Sequence, residues 1–414
     1  MSTGRLLVVG AGQAGAQLVS SARELGWDGP ISLVGGEPHA PYGRPPLSKA
    51  FLRGQAAAGS LALRSAAFYR EREVDLVLGE RIVLLDPPSG TAVAASGRRW
   101  RFDRLVLATG ARPRRLAVEG ADLDGVLVLR DLADAEALAR RLGAVTDLVV
   151  VGGGFVGLEV AATAAAAGVR VTVVEAAPSL MNRVVGAETA GFVEAAHREA
   201  GIRVLTGARP VRFRGDGHGA VTAVELADGT DLAAGLVLVG VGARPRDALA
   251  RAAGLRCDGG VVVDAYSLAS DGRTLAIGDC ADLPDPTPGS DRRLRLESVD
   301  NAVEQAKAAA TTLVGDPRPY RGVPWFWSDQ GALKIQIAGL ALAGDEAVVR
   351  PGARPGQHIA LRYRGERLVA AEFVNAPADF LVVRKALAQG APLSREAAAD
   401  TSMPLKRHLA GRPA

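Results

Sequence analysis

Cysteine is almost missing from this 414-residue chain: there are two, Cys257 and Cys280, and no Cys-x-x-Cys pair. That pattern excludes a zinc ribbon and an adjacent redox disulfide. Aromatic residues are sparse at 4%, so Trp325 and Trp327, one residue apart, stand out. Charge of one sign is not concentrated: the 49 basic residues against 45 acidic ones give +4, with no basic arm or basic helix to bind nucleic acid. A mildly basic balance suits solubility, or the steering of an acidic partner. Long uninterrupted apolar runs are lacking too. Leu148 to Val169 comes nearest to a membrane span, but Gly152-Gly153-Gly154, Gly157 and Glu159 interrupt it, and strand, turn and helix explain it better. The chain enters a strand almost at once, leaving no room for a signal peptide, which predicts a cytoplasmic protein. Neither a metal-ligand cluster nor an acid/base triad is visible.

What is present is ordinary globular composition, 48% hydrophobic and 23% charged, in a chain long enough for two or three domains. Its organising stretch is the apolar run Leu6-Leu7-Val8-Val9 followed by Gly10-x-Gly12-x-x-Gly15 and a helix-compatible segment. A second apolar run, Ile31-Ser32-Leu33-Val34, comes next. Strand, tight turn, helix, strand is the context that turns a glycine pattern into a dinucleotide site. Gly10 permits the turn, Gly12 admits a pyrophosphate, Gly15 lets helix and strand close up, and the helix N-terminus faces the phosphates. An acid about 20 residues on would accept from a ribose hydroxyl. Here the position after Gly35 is Gly36, with Glu37 following. Either Glu37 reaches the ribose from one position later, or the backbone at Gly36 does part of the work.

The pattern repeats. Leu148-Val149-Val150-Val151 leads into Gly152-Gly153-Gly154-Phe155-Val156-Gly157, a helix, and the strand Val171 to Glu175. Two fingerprints imply two nucleotide sites, and with no other reactive group they point to hydride relay between a flavin and a nicotinamide. The strand ending in Gly278-Asp279 must close back on the first fingerprint, where its carboxylate suits the ribityl and phosphate region of FAD. Three prolines, Pro41, Pro45 and Pro46, predict a fixed loop without regular structure up to Lys49. Beyond Gly315 the texture changes to a proline-marked linker and alternating strands, a smaller α+β domain. The predicted architecture is α/β: a discontinuous FAD-binding domain (1–114 and 246–318), an NAD-binding domain (115–245), both Rossmann-like, and a C-terminal interface-like domain (319–414).

From end to end the chain resembles the FAD-dependent ferredoxin reductases of the putidaredoxin-reductase type, which serve bacterial cytochrome P-450 and ring-hydroxylating dioxygenase systems. The resemblance rests on the two glycine fingerprints, Arg44-Pro-Pro-Leu-Ser-Lys49, Ala108-Thr-Gly-Ala-Arg-Pro113, Gly278-Asp-Cys-Ala281, Glu297-Ser-Val-x-Asn301 and Pro324-Trp-Phe-Trp-Ser-Asp329. The proline loop and the tryptophan segment are the narrow ones; the glycines mark only the glutathione-reductase-like superfamily.

The resemblance implies an FAD set of Gly10, Gly12, Ala14, Gly15, Gly36, Glu37, Arg44, Lys49, Ile82, Ala108, Thr109, Gly110, Arg130, Gly278, Asp279, Glu297, Ser298, Val299 and Trp327. For NAD it implies Gly152, Gly154, Phe155, Val156, Gly157, Glu159, Glu175, Val241 and Gly242. Lys49, Glu159 and Trp327 are the catalytic candidates: Lys49 approaches the flavin, Glu159 pairs with it or holds the nicotinamide carboxamide, and Trp327 lies beside the ring while Trp325 is core. Glu175 favours NADH over NADPH, since a carboxylate there repels a 2′-phosphate; Arg183 would alter this if it turned back to the site. Cousins in the superfamily carry a reactive cysteine or a redox pair after the first unit, and His39 to Lys49 has none, so electrons leave singly to an external carrier. The implied reaction is hydride transfer from NADH to FAD N5, then single-electron transfer to an acidic [2Fe-2S] ferredoxin feeding a P-450 or Rieske-type oxygenase. Lys307, Lys406 and Arg407 are docking candidates on a monomer or homodimer. The rival readings are reduction of rubredoxin, a quinone or a small molecule, and a redox-sensing NADH-binding flavoprotein.

Overall fold

The computed structural model describes residues 4–287 and 289–410; the expected domain limits at residues 1 and 414 lie outside them. The fold is α/β, and its parts gather into two compact units. One holds residues 4–43, Ala58–Arg112 and Ala243–Pro324; the other holds Arg44–Ala57, Pro113–Gly242 and residues 325–410.

In the first unit a five-stranded parallel sheet has Leu6–Val9 at its centre, paired with Ile31–Val34 on one side and Arg104–Leu107 on the other. Val74–Val77 and Leu275–Ala276 complete the edges. All four residues of the central strand are buried, as expected where helices cover both faces of a parallel sheet. Helix Gln13–Glu24 packs against helix Val299–Leu313, and small residues, Ala14, Ala22, Ala302, Ala306, Ala309 and Ala310, line their shared core. A small antiparallel sheet, Ile82–Asp86, Thr91–Ala94 and Arg99–Arg101, is the polar hairpin region read from the sequence.

The second unit repeats the plan. Asp147–Val151 is the central parallel strand between Arg170–Glu175 and Leu236–Val239. Helix Phe155–Ala166 follows it with its inner residues buried on nearly every side, which is why the apolar stretch looks like a membrane span. No helix among the described residues is long and apolar enough to cross a membrane. The same unit contains an antiparallel five-stranded sheet in the order Trp325–Gln330, Leu333–Gly339, Arg367–Val374, His358–Arg364, Glu346–Pro351, with helix Pro377–Gln389 packed on it.

The proline loop departs from expectation. Pro45–Ser48 forms one turn of 3-10 helix rather than irregular chain. The prolines occupy its first two positions, where an N–H would be orphaned anyway and a fixed φ already matches. The loop also packs with the second nucleotide unit, on helices Leu132–Leu142 and Phe155–Ala166.

Candidate functional site

In the first unit the glycine turn is tight for steric reasons. Gly10 has φ +120, and a Cβ there would stand 2.0 Å from the Ala108 carbonyl oxygen. Gly15 is equally constrained, 2.0 Å from the Gly10 carbonyl. Gly12 is different: nothing lies within 4 Å of where its Cβ would be. It is the N-cap of Gln13–Glu24, which has no side-chain cap and no acidic residue in its first turn. Open space before uncapped N–H groups is a cradle that fits the pyrophosphate of a dinucleotide. Gly278 closes the cradle from the other side, its Cβ position 3.1 Å from Ala14, and its N–H donates to Gln305 Oε1 at 2.8 Å. Asp279 follows in the same short turn.

Thr109 donates from Oγ1 to the Arg246 carbonyl at 2.7 Å, and Arg246 N–H donates to the Gly110 carbonyl. Ser298 caps helix Val299–Leu313 by accepting from Asn301 N–H, while Glu297 pairs with Arg295. Ile82 is packed in the core. Glu37 accepts a 2.6 Å hydrogen bond from the Tyr42 hydroxyl, a partner that sequence reasoning missed. Cys280 is fully buried among backbone carbonyls, with burial pushing its thiol pKa up, so it is a small core residue.

Arg44, Lys49, Arg130 and Trp327 belong instead to the second unit. Arg44 donates to the Arg130 carbonyl at 2.7 Å, anchoring the proline turn at the start of the capped helix Leu132–Leu142. The same turn delivers Lys49, whose Nζ lies 2.9 Å from Glu159 Oε1, with Glu159 buried and Lys49 largely so. Glu159 sits in the second turn of its helix, past the reach of the helix dipole; Lys49 is its charge partner. Each carboxylate oxygen also accepts a hydroxyl: Oε2 from Ser48 at 2.5 Å and Oε1 from Ser328 at 2.6 Å. Thr163 Oγ1 donates to the Ser48 carbonyl, tying the turn to the helix. Ser48, Thr163 and Ser328 were not singled out in the sequence, although Ser48 and Ser328 lie inside its two narrowest motifs.

Strand Trp325–Gln330 separates two functions by its alternation. Phe326 meets Phe155 at 4.5 Å, and Ser328 and Gln330 follow on that face. Trp325 and Trp327 stack at 5.2 Å on the other, with Trp325 also against Phe380 and under the Arg384 guanidinium.

The second glycine turn is built like the first. A Cβ on Gly152 (φ +109) would stand 2.5 Å from the Gly240 carbonyl, and one on Gly157 would stand 2.4 Å from that of Gly152. Gly154 caps helix Phe155–Ala166 without a side chain, and Val156 is exposed at its start. Glu175 accepts from the N–H groups of Gly153 (2.6 Å) and Ala177 (2.8 Å), which fixes its carboxylate at the rim of the turn. Val241 and Gly242 follow Leu236–Val239 on the opposite side of the central strand. Arg183 turns to that side: its Nη2 is 3.3 Å from the Cβ position of Gly242. Of the docking candidates, Lys307 is ion-paired with Glu304 at 2.7 Å, whereas Lys406 and Arg407 are exposed.

Two glycine-cradled nucleotide units, a buried lysine–glutamate pair and no reactive thiol in the loop define an oxidoreductase that uses FAD and a nicotinamide. Comparison with known proteins narrows this class. The pyridine nucleotide-disulphide oxidoreductase model matches residues 4–306, and the reductase C-terminal model matches 325–409. The chain belongs to the pyridine nucleotide-disulphide oxidoreductase family, among its putidaredoxin-reductase-type members. It is 42% identical to rhodocoxin reductase of Rhodococcus erythropolis over 98% of this chain and 94% of that one. The crystal structure of the ferredoxin reductase for the CYP199A2 system from Rhodopseudomonas palustris superposes with a TM-score of 0.94 at 42% identity, covering 98% of this chain and 99% of that. The covalent putidaredoxin reductase–putidaredoxin complex gives a TM-score of 0.94 at 37% identity over 99% of each chain.

Proposed function

We propose that the chain is an NADH-dependent reductase of a [2Fe-2S] ferredoxin, working in the cytoplasm and feeding a P-450 or Rieske-type oxygenase. The observation that carries this reading is the loop Arg44–Lys49, where a lysine ion-paired with Glu159 stands instead of a reactive cysteine. Cys280 is buried and Cys257 partly so, and burial pushes the thiol pKa of each up, so neither cysteine is a poised thiolate. Bound FAD supplies acceptance of a hydride from the nicotinamide and its release as single electrons.

The chain's own groups bind and orient. The expected FAD domain, 1–114 and 246–318, less the loop Arg44–Ala57 that groups with the second unit, carries the FAD, with Gly10, Gly12, Ala14, Gly15 and Gly278 shaping its cradle and Asp279 facing the ribityl and phosphate groups. Gly36 and Glu37 take the adenosine end, Glu37 already oriented by Tyr42. Residues 115–245 bind NADH through Gly152, Gly154, Phe155, Val156 and Gly157, with Val241 and Gly242 flanking. By the family resemblance Lys49 and Trp327 serve the flavin, and Glu159 holds Lys49. Glu175 receives the adenosine ribose hydroxyls and repels a 2′-phosphate. Arg183 turns toward this NADH set beside Gly242, on the side of the central strand away from Glu175.

The test is anaerobic titration of the flavin with NADH and with NADPH, followed by [2Fe-2S] ferredoxins from the same organism, rubredoxin and a quinone. NADH should have the higher kcat/KM by at least about tenfold, a difference of about 1.4 kcal/mol, and a ferredoxin should reoxidise the flavin fastest. Faster turnover of rubredoxin or quinone overturns the acceptor assignment, and equal use of NADPH overturns the role of Glu175.

A further inference from the structure

Behind the Lys49–Glu159 pair a line of uncharged donors runs in one direction. His197, buried in helix Ala187–Glu199, lies with Nε2 2.8 Å from Gln330 Oε1. The Gln330 amide nitrogen faces Ser328 Oγ at 3.2 Å and Met181 Sδ at 3.7 Å. Ser328 then donates to Glu159 Oε1, and Ser48 donates to Oε2. We propose that Ser48 and Ser328 are positioning residues that hold Glu159 as a fixed anion, and that His197, through Gln330, orients the second hydroxyl.

The polarity of the line follows from what each group can do. An ionised carboxylate only accepts, so both hydroxyl protons point at Glu159. The Ser328 oxygen is then left to accept, which calls for the amide NH2 of Gln330 rather than its carbonyl. That carbonyl in turn faces His197, which must present an N–H from Nε2. Burial lowers the His197 pKa, which keeps the ring neutral and leaves one nitrogen to donate. The line therefore carries orientation and not protons, since an amide passes no proton without first becoming an imidic acid. Lys49 is the charged group facing Glu159; on the remaining sides it meets the two hydroxyls. The Glu159 carboxylate thus has a hydroxyl donor on each oxygen and the Lys49 ammonium on one of them, and these charge-assisted contacts fix its orientation. Lys49 is thereby held in place.

The consequence for the flavin rests on the function proposed above; the role of the hydroxyls does not. The experiment is isotope-edited infrared spectroscopy of the Glu159 carboxylate stretch in the full holoprotein, with Glu159→Gln assigning the band, alongside the flavin midpoint potential. Ser328→Ala should shift the antisymmetric stretch, because one hydrogen bond to a carboxylate oxygen is lost. Ser328→Thr, which keeps the hydroxyl, should restore it. Ser48→Ala reads the same effect at the other oxygen and serves should Ser328→Ala fail to fold. His197→Phe should give a smaller shift, absent in a Ser328→Ala background because His197 acts only through Ser328. An unmoved band in both serine variants overturns the proposal, and an effect of His197→Phe that persists without Ser328 overturns the role of His197. If the carboxyl moves and the flavin potential does not, the hydroxyl role stands and the placement of Lys49 at the flavin fails.

Discussion

At the scale of single residues, the Lys49–Glu159 pair decides most. Glu159 is buried and Lys49 largely so, at 6% and 13% side-chain exposure, and each charge offsets part of the other's desolvation penalty. Lys49→Met leaves a buried carboxylate with hydroxyl partners only. It should cost about 3 kcal/mol, read from urea midpoints, because removing one member of a buried pair strands the other. Lys49→Met with Glu159→Gln should recover most of that stability while flavin reduction by NADH stays slow. Recovery of both would make the pair structural; recovery of neither would mean that the charges were not the issue. Lys49 and Glu159 were legible in the sequence because they lie in motifs. Ser328, Gln330 and His197 were not, although Ser328 lies in a motif too, because their meeting depends on a strand about 130 residues from helix Ala187–Glu199 packing back on it. The one signal that could have found them is the period-2 alternation of Phe326, Ser328 and Gln330, a face that ends in two polar residues yet is buried.

At the scale of elements, each strand–turn–helix unit depends on glycines for two separate reasons, and paired variants separate them. Gly10→Ala meets both a positive φ and the Ala108 carbonyl at 2.0 Å, a clash with backbone that no side-chain rotation relieves. It should lose several kcal/mol, roughly the cost of forced backbone strain plus overpacking, and yield little folded protein. Gly12→Ala meets nothing within 4 Å. The protein stripped of flavin should melt like the wild type, while FAD binds at least about tenfold more weakly, a loss of about 1.4 kcal/mol, because the added methyl occupies the phosphate cradle. A drop in melting temperature for Gly12→Ala would show that the turn, and not the ligand, needs that glycine. These units were readable because local patterning and sterics coincide in them. The proline loop was only half readable. Its prolines fixed a rigid segment, but neither the 3-10 turn nor its packing on helices Leu132–Leu142 and Phe155–Ala166 follows from local sequence, since those contacts are non-local.

At the scale of the whole molecule, pH and salt act on groups far apart in the chain. His197 and His358 are both buried, and burial lowers the pKa of each below the ordinary 6.5. Glu188 offsets part of the shift at His358, which contacts Thr189 Oγ1 at 3.0 Å and stacks on Phe192. Between pH 6.5 and their lower folded values the unfolded chain binds more protons, so the stability these two sites contribute is complete above 6.5 and is lost as pH falls. Urea midpoints should drop on acidification, and His197→Gln, which keeps a donor but cannot titrate, should flatten the decline; an equally steep decline would clear His197. Salt reports on the partner. The chain carries +4, and an acidic ferredoxin steered by it should be reduced more slowly as ionic strength rises, because the screening length shrinks to about 8 Å at 0.15 M. Local pairing decides which cations contribute. Lys307 has Glu304 at 2.7 Å on its own helix and presents almost no net charge at distance, so Lys307→Ala should change the salt slope little. Lys406 and Arg407 are exposed on the short helix Leu405–Ala410, and replacing both by Ala should flatten the slope. Stopped-flow ferredoxin reduction at several salt concentrations measures this directly, and a slope that responds to Lys307 but not to the C-terminal pair would move the docking face to the first unit.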